Sequence, residues 1–201
     1  FMRILHQITE DEVITNFLKS EINSKRFRKP IILALKNKSK KIILHPNLKD
    51  RKENQFRRKL LGKVRGFGMN RDLFENFPNN VKWFKAFIKR QELKNVKYIN
   101  YSYWNELSNK TRLPSEASKN VQKGLKIFNV DNEGFQQILS KIKKGKKLPD
   151  MIFVAKNKKS RMVILEGHAR MTGYFLEPKH IPKKLEIIIG YSNKINKWGL
   201  Y

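Results

Sequence analysis

The stretch MVILEGHARMTGYFL, residues 162 to 176, passes from an apolar run through Glu166, Gly167, His168, Ala169 and Arg170 into apolar residues at helical spacing. A glycine between a strand and a helix lets the backbone turn sharply and leaves the first helical N–H groups without intrahelical partners. Such donors attract anions, and a guanidinium in the first turn grips an oxyanion bidentately, so Gly167 and Arg170 are the candidate phosphate-binding residues. Glu166, at the strand's end, can hold a metal ion, accept a proton or simply fix Arg170. His168 can carry a proton near neutral pH or act as a plain polar cap. In a catalytic site Glu166 and His168 would be the metal ligand or the general acid and base.

The chain around this joint is strongly basic. Its 45 Lys and Arg against 17 Asp and Glu give a formal charge of +28 over 201 residues. Cut after Glu92, it holds 23 bases against 9 acids and then 22 against 8, so the excess is general. Two stretches stand above it: 12 bases with only Asp50 and Glu53 between Lys36 and Arg65, and 9 bases with only Asp150 between Lys141 and Arg161. Basic patches of this kind neutralise phosphates and give salt-sensitive affinity for nucleic acid. Arg51, Arg57, Arg58, Lys59, Lys63 and Arg65 in the first stretch, with Lys143, Lys144, Lys146 and Lys147 in the second, are the candidate backbone contacts. The absence of cysteine excludes disulfides, thiolate metal sites and thiol nucleophiles. No apolar run is long enough to span a membrane and no secretory leader opens the chain, so the expectation is a soluble, cytoplasmic protein without a membrane partner.

Periodicity then places the elements. Thr9 to Glu12 is a capping-box pattern ahead of Val13, Ile14, Phe17, Leu18 and Ile22, which predicts a helix over 10–24. IILAL (31–35) and KIILH (41–45), separated by polar residues, predict a β-hairpin. A basic helix is expected from Arg51 to about Leu61, followed by a flexible glycine segment whose Gly62, Gly66 and Gly68 do not have the spacing of a phosphate-binding loop. Residues 79–93 carry Val81, Phe84, Phe87 and Ile88 on one helical stripe and predict an amphipathic helix, with Trp83 and Phe84 in the core. A strand is expected at 96–100 and a helix at 114–124, with Pro114 at its start and Gly124 at its stop. A helix over 131–144, strands over 151–155 and 161–166, a helix from His168 through Leu176 and a strand over 184–191 complete the chain. The fold class is α+β, with a basic, mixed and largely helical region at 1–92 containing the hairpin, and a second domain at 93–201.

From about Phe135 to Ile189 the chain resembles the core of the ParB/sulfiredoxin superfamily, also called the ParB-like nuclease fold. There a helix ending in glycine leads through proline into a hairpin, whose second strand ends in acid-Gly-x-x-Arg at the head of the next helix. FQQILSKIKKGKKLP, MIFVAKNKKSRMVILE and EGHARMTGYFL are similar to those pieces, with Glu166, Gly167 and Arg170 on the motif positions. His168 matches the first histidine of the common Asp-Gly-His-His-Arg form, and Ala169 departs from the second. The resemblance implies a core of helix, hairpin, helix and strand that binds nucleotide or nucleic-acid phosphates at this loop. Family members include CTP-dependent DNA clamps, DNases, a serine kinase and sulfiredoxin. Sulfiredoxin chemistry needs a cysteine that this chain lacks, and the clamp's doubly basic ending and helix-turn-helix are also missing. A second phosphate-contacting segment of the family precedes the helix that leads to the hairpin. Its counterpart is NELSNKTRLPSEA (105–117), where Arg112 would close over the ligand. The functional expectation is a nucleic-acid-binding protein, in one version a nuclease. A nucleotide-dependent phosphotransferase or NTPase, with a nucleoside triphosphate or Mg as cofactor, and a non-catalytic interaction module are the alternatives.

Overall fold

In the computed structural model, which describes residues 2–201, β1 (Arg3–Ile8), β2 (Lys82–Lys89), β3 (Met151–Ala155), β4 (Val163–Glu166) and β5 (Lys184–Tyr191) form one sheet of order β1-β2-β5-β3-β4. β3 and β5 are parallel and the other neighbours antiparallel. Helices α1 (Glu10–Glu21), α2 (Arg28–Leu35), α3 (Lys41–Leu44) and α4 (Arg51–Arg65) build one layer. The short α5 (Arg90–Leu93) and α6 (Ser102–Leu107) precede α7 (Pro114–Gln122), α8 (Glu133–Lys143) and α9 (His168–Leu176) in the other.

Strand alternation assigns each layer its half of the core. Ile152, Val154, Val163, Leu165, Ile188 and Trp83 pack with Phe17, Leu18, Leu60 and Leu61 of α1 and α4. Met151, Phe153, Ile164, Ile187 and Ile189 pack with Leu139, Met171 and Phe175 of α8 and α9. Helices on both faces explain why MIFVA (151–155) and III (187–189) are unbroken apolar runs. They also mean that residues 1–92 and 93–201 are not separate cores. β2 pairs with β5 along its length, from Lys82 opposite Tyr191 to Lys89 opposite Lys184, so the proposed boundary runs through a hydrogen-bonded sheet.

Much of the expected local structure is present. The capping box closes as Glu12 N donates to Thr9 Oγ1 at 3.3 Å and Thr9 N donates to Glu12 Oε2 at 2.7 Å. β3, α9 and β5 coincide with their predicted spans, and β4 begins at Val163 rather than Arg161. α4 runs on to Arg65, where Gly66 stops it with φ of 83° and donates its N–H to the Gly62 carbonyl at 2.8 Å.

Two assignments are overturned. The expected hairpin at 31–35 and 41–45 is helical: Pro30 sits in the first turn of α2, where its missing N–H has no role, and Ile31 and Leu35 are buried while Leu33 between them is exposed. The expected helix at 79–93 is strand β2, since a strand covered on both faces is apolar at 83, 84, 86 and 88 and so imitates a helical stripe. The expected strand at 96–100 is reduced to one parallel bridge from Lys97 to Val163, with Val96 and Tyr98 buried. β1 was not anticipated. Among the described residues no helix is long and apolar enough to cross a membrane.

Candidate functional site

β4 ends at Glu166, and Gly167 turns the chain with φ of 108° and ψ of 15°. That conformation is strained for an L side chain, and a Cβ there would lie 2.6 Å from Met151 Cγ. The first helical bond of α9 runs from Met171 N to the Gly167 carbonyl at 2.9 Å. Arg170 folds back beside this turn, pairs with the Glu166 carboxylate, and donates from Nη1 to Ser20 Oγ at 2.9 Å. It is only 9% exposed. Of the three roles open to Glu166, the geometry therefore fits the fixing of Arg170.

A second buried pair stands against the first. Glu21 of α1 lies 3.2 Å from Arg65 Nε of α4. Burial pushes the Glu21 carboxyl up to about 7, against the opposing pull of Arg65, and the neighbouring Glu166 adds to the rise. Arg65 also covers the Phe27 ring, 4.3 Å from its centroid. It is an internal residue, not a free backbone contact.

His168 departs from its expected role. Its ring stacks on the Trp104 indole at 5.0 Å and on Tyr98 at 5.8 Å, and its buried Nε2 finds no hydrogen-bond partner. Burial, with Arg65 and Arg170 adding positive charge nearby, pushes the imidazole down to about 3. Both burial and the nearby guanidiniums favour the neutral ring, and its stacking on Trp104 and Tyr98 fits a packing role better than proton transfer.

Arg112 is also placed elsewhere. Its Nε donates to the Tyr98 carbonyl at 2.8 Å, Nη1 to Tyr201 O at 3.1 Å and Nη2 to Leu200 O at 3.3 Å. The guanidinium clips residues 200 and 201 to the loop before α7 and does not meet the Glu166–Arg170 turn.

The remaining basic candidates divide by exposure. Arg57 is fully buried and donates to the carbonyls of Ile42 at 2.8 Å and Asn47 at 3.2 Å and to Glu53 at 2.9 Å, which clamps α3 to α4. Arg58 is exposed but paired with Glu10 and Asp11, and Lys143 is paired with Glu177. Arg51, Lys59, Lys63, Lys144, Lys146 and Lys147 are exposed, and no ion pair engages them among the described residues. The two clusters belong to opposite helical layers.

Lys146 and Lys147 border the cleft nearest the motif. It has a volume of about 250 Å³ and lies where the α8–β3 connection, α9 and the lead into β5 converge, with Arg170, Tyr174 and His180 in its wall. Asp150 and Glu186 also line it, both joined to Lys85 Nζ, the second at 3.1 Å. Residues 85, 150 and 186 were not foreseen, because only the pairing of β2 with β5 and the start of β3 bring them together. Pockets for drug-sized ligands run upward from about 300 Å³, so the cleft suits one phosphate group better than a whole nucleotide. Among the described residues, no three His, Asp or Glu side chains gather as a metal-binding group.

A scan against protein-family models gives no match, and searches of curated proteins and of solved structures give none.

Proposed function

We propose that this protein binds nucleic acid through its phosphate backbone, as a binding rather than a cleaving protein. The observation that carries the reading is the set of exposed bases without acidic partners among the described residues, Arg51, Lys59 and Lys63 on α4, Lys144 at the end of α8, and Lys146 and Lys147 at the cleft. Counterions released by such groups drive association with a polyanion and make it fall steeply with salt. Lys146 and Lys147 would seat one phosphate at the cleft, with Arg170 behind them, while the Glu166–Arg170 pair keeps the joint in shape. Glu166 and His168 are both engaged in packing or pairing, which is why binding is favoured over hydrolysis.

The same reading takes residues 133–191 as a unit related to the ParB/sulfiredoxin superfamily. Its support is the succession α8, β3, β4, α9 and β5, with Glu166, Gly167 and Arg170 at the turn from β4 into α9.

The test is fluorescence anisotropy with labelled single- and double-stranded DNA and RNA. With six phosphates contacted, affinity should fall by about 10³-fold between 50 and 200 mM salt. Lys144→Gln, Lys146→Gln and Lys147→Gln combined should lower the slope of log affinity against log salt by about three. Binding that is absent, or indifferent to salt, would overturn the proposal.

A further inference from the structure

We infer that the C-terminal end of α4 carries a seat for one unpaired nucleobase and its phosphate. This rests on the nucleic-acid reading and narrows it to strands with accessible bases. A shallow cavity of about 460 Å³ lies there, with Gly62, Phe67 and Met69 below and Arg58, Lys59 and Lys63 around it. Its volume falls within the range that accepts a nucleotide. The floor exists because residue 62 has no side chain: a Cβ there would come 2.9 Å from the Phe67 carbonyl and 3.3 Å from Met69 Sδ. Met69 is 57% exposed, an apolar side chain left open inside a ring of cations.

The rim supplies two kinds of cation. Arg58 is held in place by Glu10 and Asp11 while its guanidinium lies over the Phe67 ring, 5.5 Å from the centroid. It offers a fixed, flat, charged plate whose outer side can take a base, since guanidinium planes stack on unpaired bases as aromatic rings do. Arg71, which also lines the cavity, is fixed by donating to the carbonyls of Gly62 at 3.1 Å and Lys63 at 2.9 Å and by its pair with Asp72. Lys59 and Lys63, exposed and engaged by no acid among the described residues, are free to meet a phosphate. A duplex shows phosphates but hides its base faces, so the lysines serve either form and the apolar floor and the Arg58 plate serve only the unpaired strand.

The experiment compares the full chain with the double variant Arg58→Lys and Met69→Ser, which keeps the charge and removes the plate and the exposed thioether of the floor. Both are titrated with a labelled single-stranded oligonucleotide and with a hairpin duplex of the same sequence, and thermal melting confirms the fold. The expected result is a loss of about tenfold for the single strand, as for one lost base stack, with duplex affinity within twofold of wild type. An unchanged single-strand affinity overturns the seat and leaves the polyanion reading standing. Failure of the wild type to bind either oligonucleotide removes that reading itself. Binding of wild type to phosphatidylserine vesicles, lost in the double variant while the oligonucleotides bind as before, would assign the cavity to a lipid headgroup and overturn the seat.

Discussion

Arg170 donates to the hydroxyl of Ser20, 150 residues earlier in the chain, at 2.9 Å, and so fastens the turn between β4 and α9 to the end of the first helix. With Glu166 on its other side, the guanidinium has an anion and a hydroxyl to satisfy within the fold.

Arg170→Ala should therefore act first on stability. Removing one partner of a buried pair leaves Glu166 desolvated and uncompensated, a cost of about 3 kcal/mol. Urea denaturation should show it, while affinity for a polyanion, measured where the variant is folded, should fall much less than in the Lys144, Lys146 and Lys147 variant. A stable Arg170→Ala protein with abolished binding would reverse that ranking.

His168, held down to about 3 by burial, sets a pH window. Its folded pKa lies below the unfolded value, so the stability linked to its neutral form is complete above about 6.5 and is lost as pH falls from there toward 3. His168→Phe keeps a flat ring against Trp104 and Tyr98 and takes up no proton. Urea midpoints across pH 4 to 8 should drop less on acidification for the variant than for wild type.

Glu21 works in the opposite sense. Its folded pKa, about 7, lies above the unfolded one, so its contribution is complete below about 4.5 and is lost as pH rises through 7. Glu21→Gln, neutral at every pH, should be more stable than wild type at pH 8, with the advantage gone by pH 4. A variant less stable than wild type at pH 8 would mean that attraction to Arg65 outweighs desolvation.

Arg112→Gln separates a clip from a phosphate contact. Loss of its bonds to the Tyr98, Leu200 and Tyr201 carbonyls should cost about 1–3 kcal/mol in thermal or urea unfolding. The salt slope of oligonucleotide binding should stay as it is.

The C-terminal half was legible in the sequence because its signals were local: glycine and proline stops, a helix with Phe135 and Leu139 on one face, and apolar runs too short for buried helices. β2 was not, because neighbours on both faces erased the alternation that marks a half-covered strand. β1 is an edge strand, half polar and half apolar without alternation, and buries only Ile8 fully, which gives periodicity little to register. At the motif, residue type and spacing located the Glu166–Arg170 pair, but not that Ser20 and Glu21 would close around it. His168 looked chemical because it stood beside a glycine turn; the partners that make it structural, Trp104 and Tyr98, lie more than sixty residues upstream.

Strand β5 lies between β2 and β3, so it alone joins the early pair of strands to the later one. Without residues 184 to 191, β1 with β2 and β3 with β4 share no strand pairing, and each pair has an open edge where β5 would lie. The sheet is thus completed late and through distant contacts, and a nascent chain stalled before Lys184 would expose two unsatisfied strand edges to other chains.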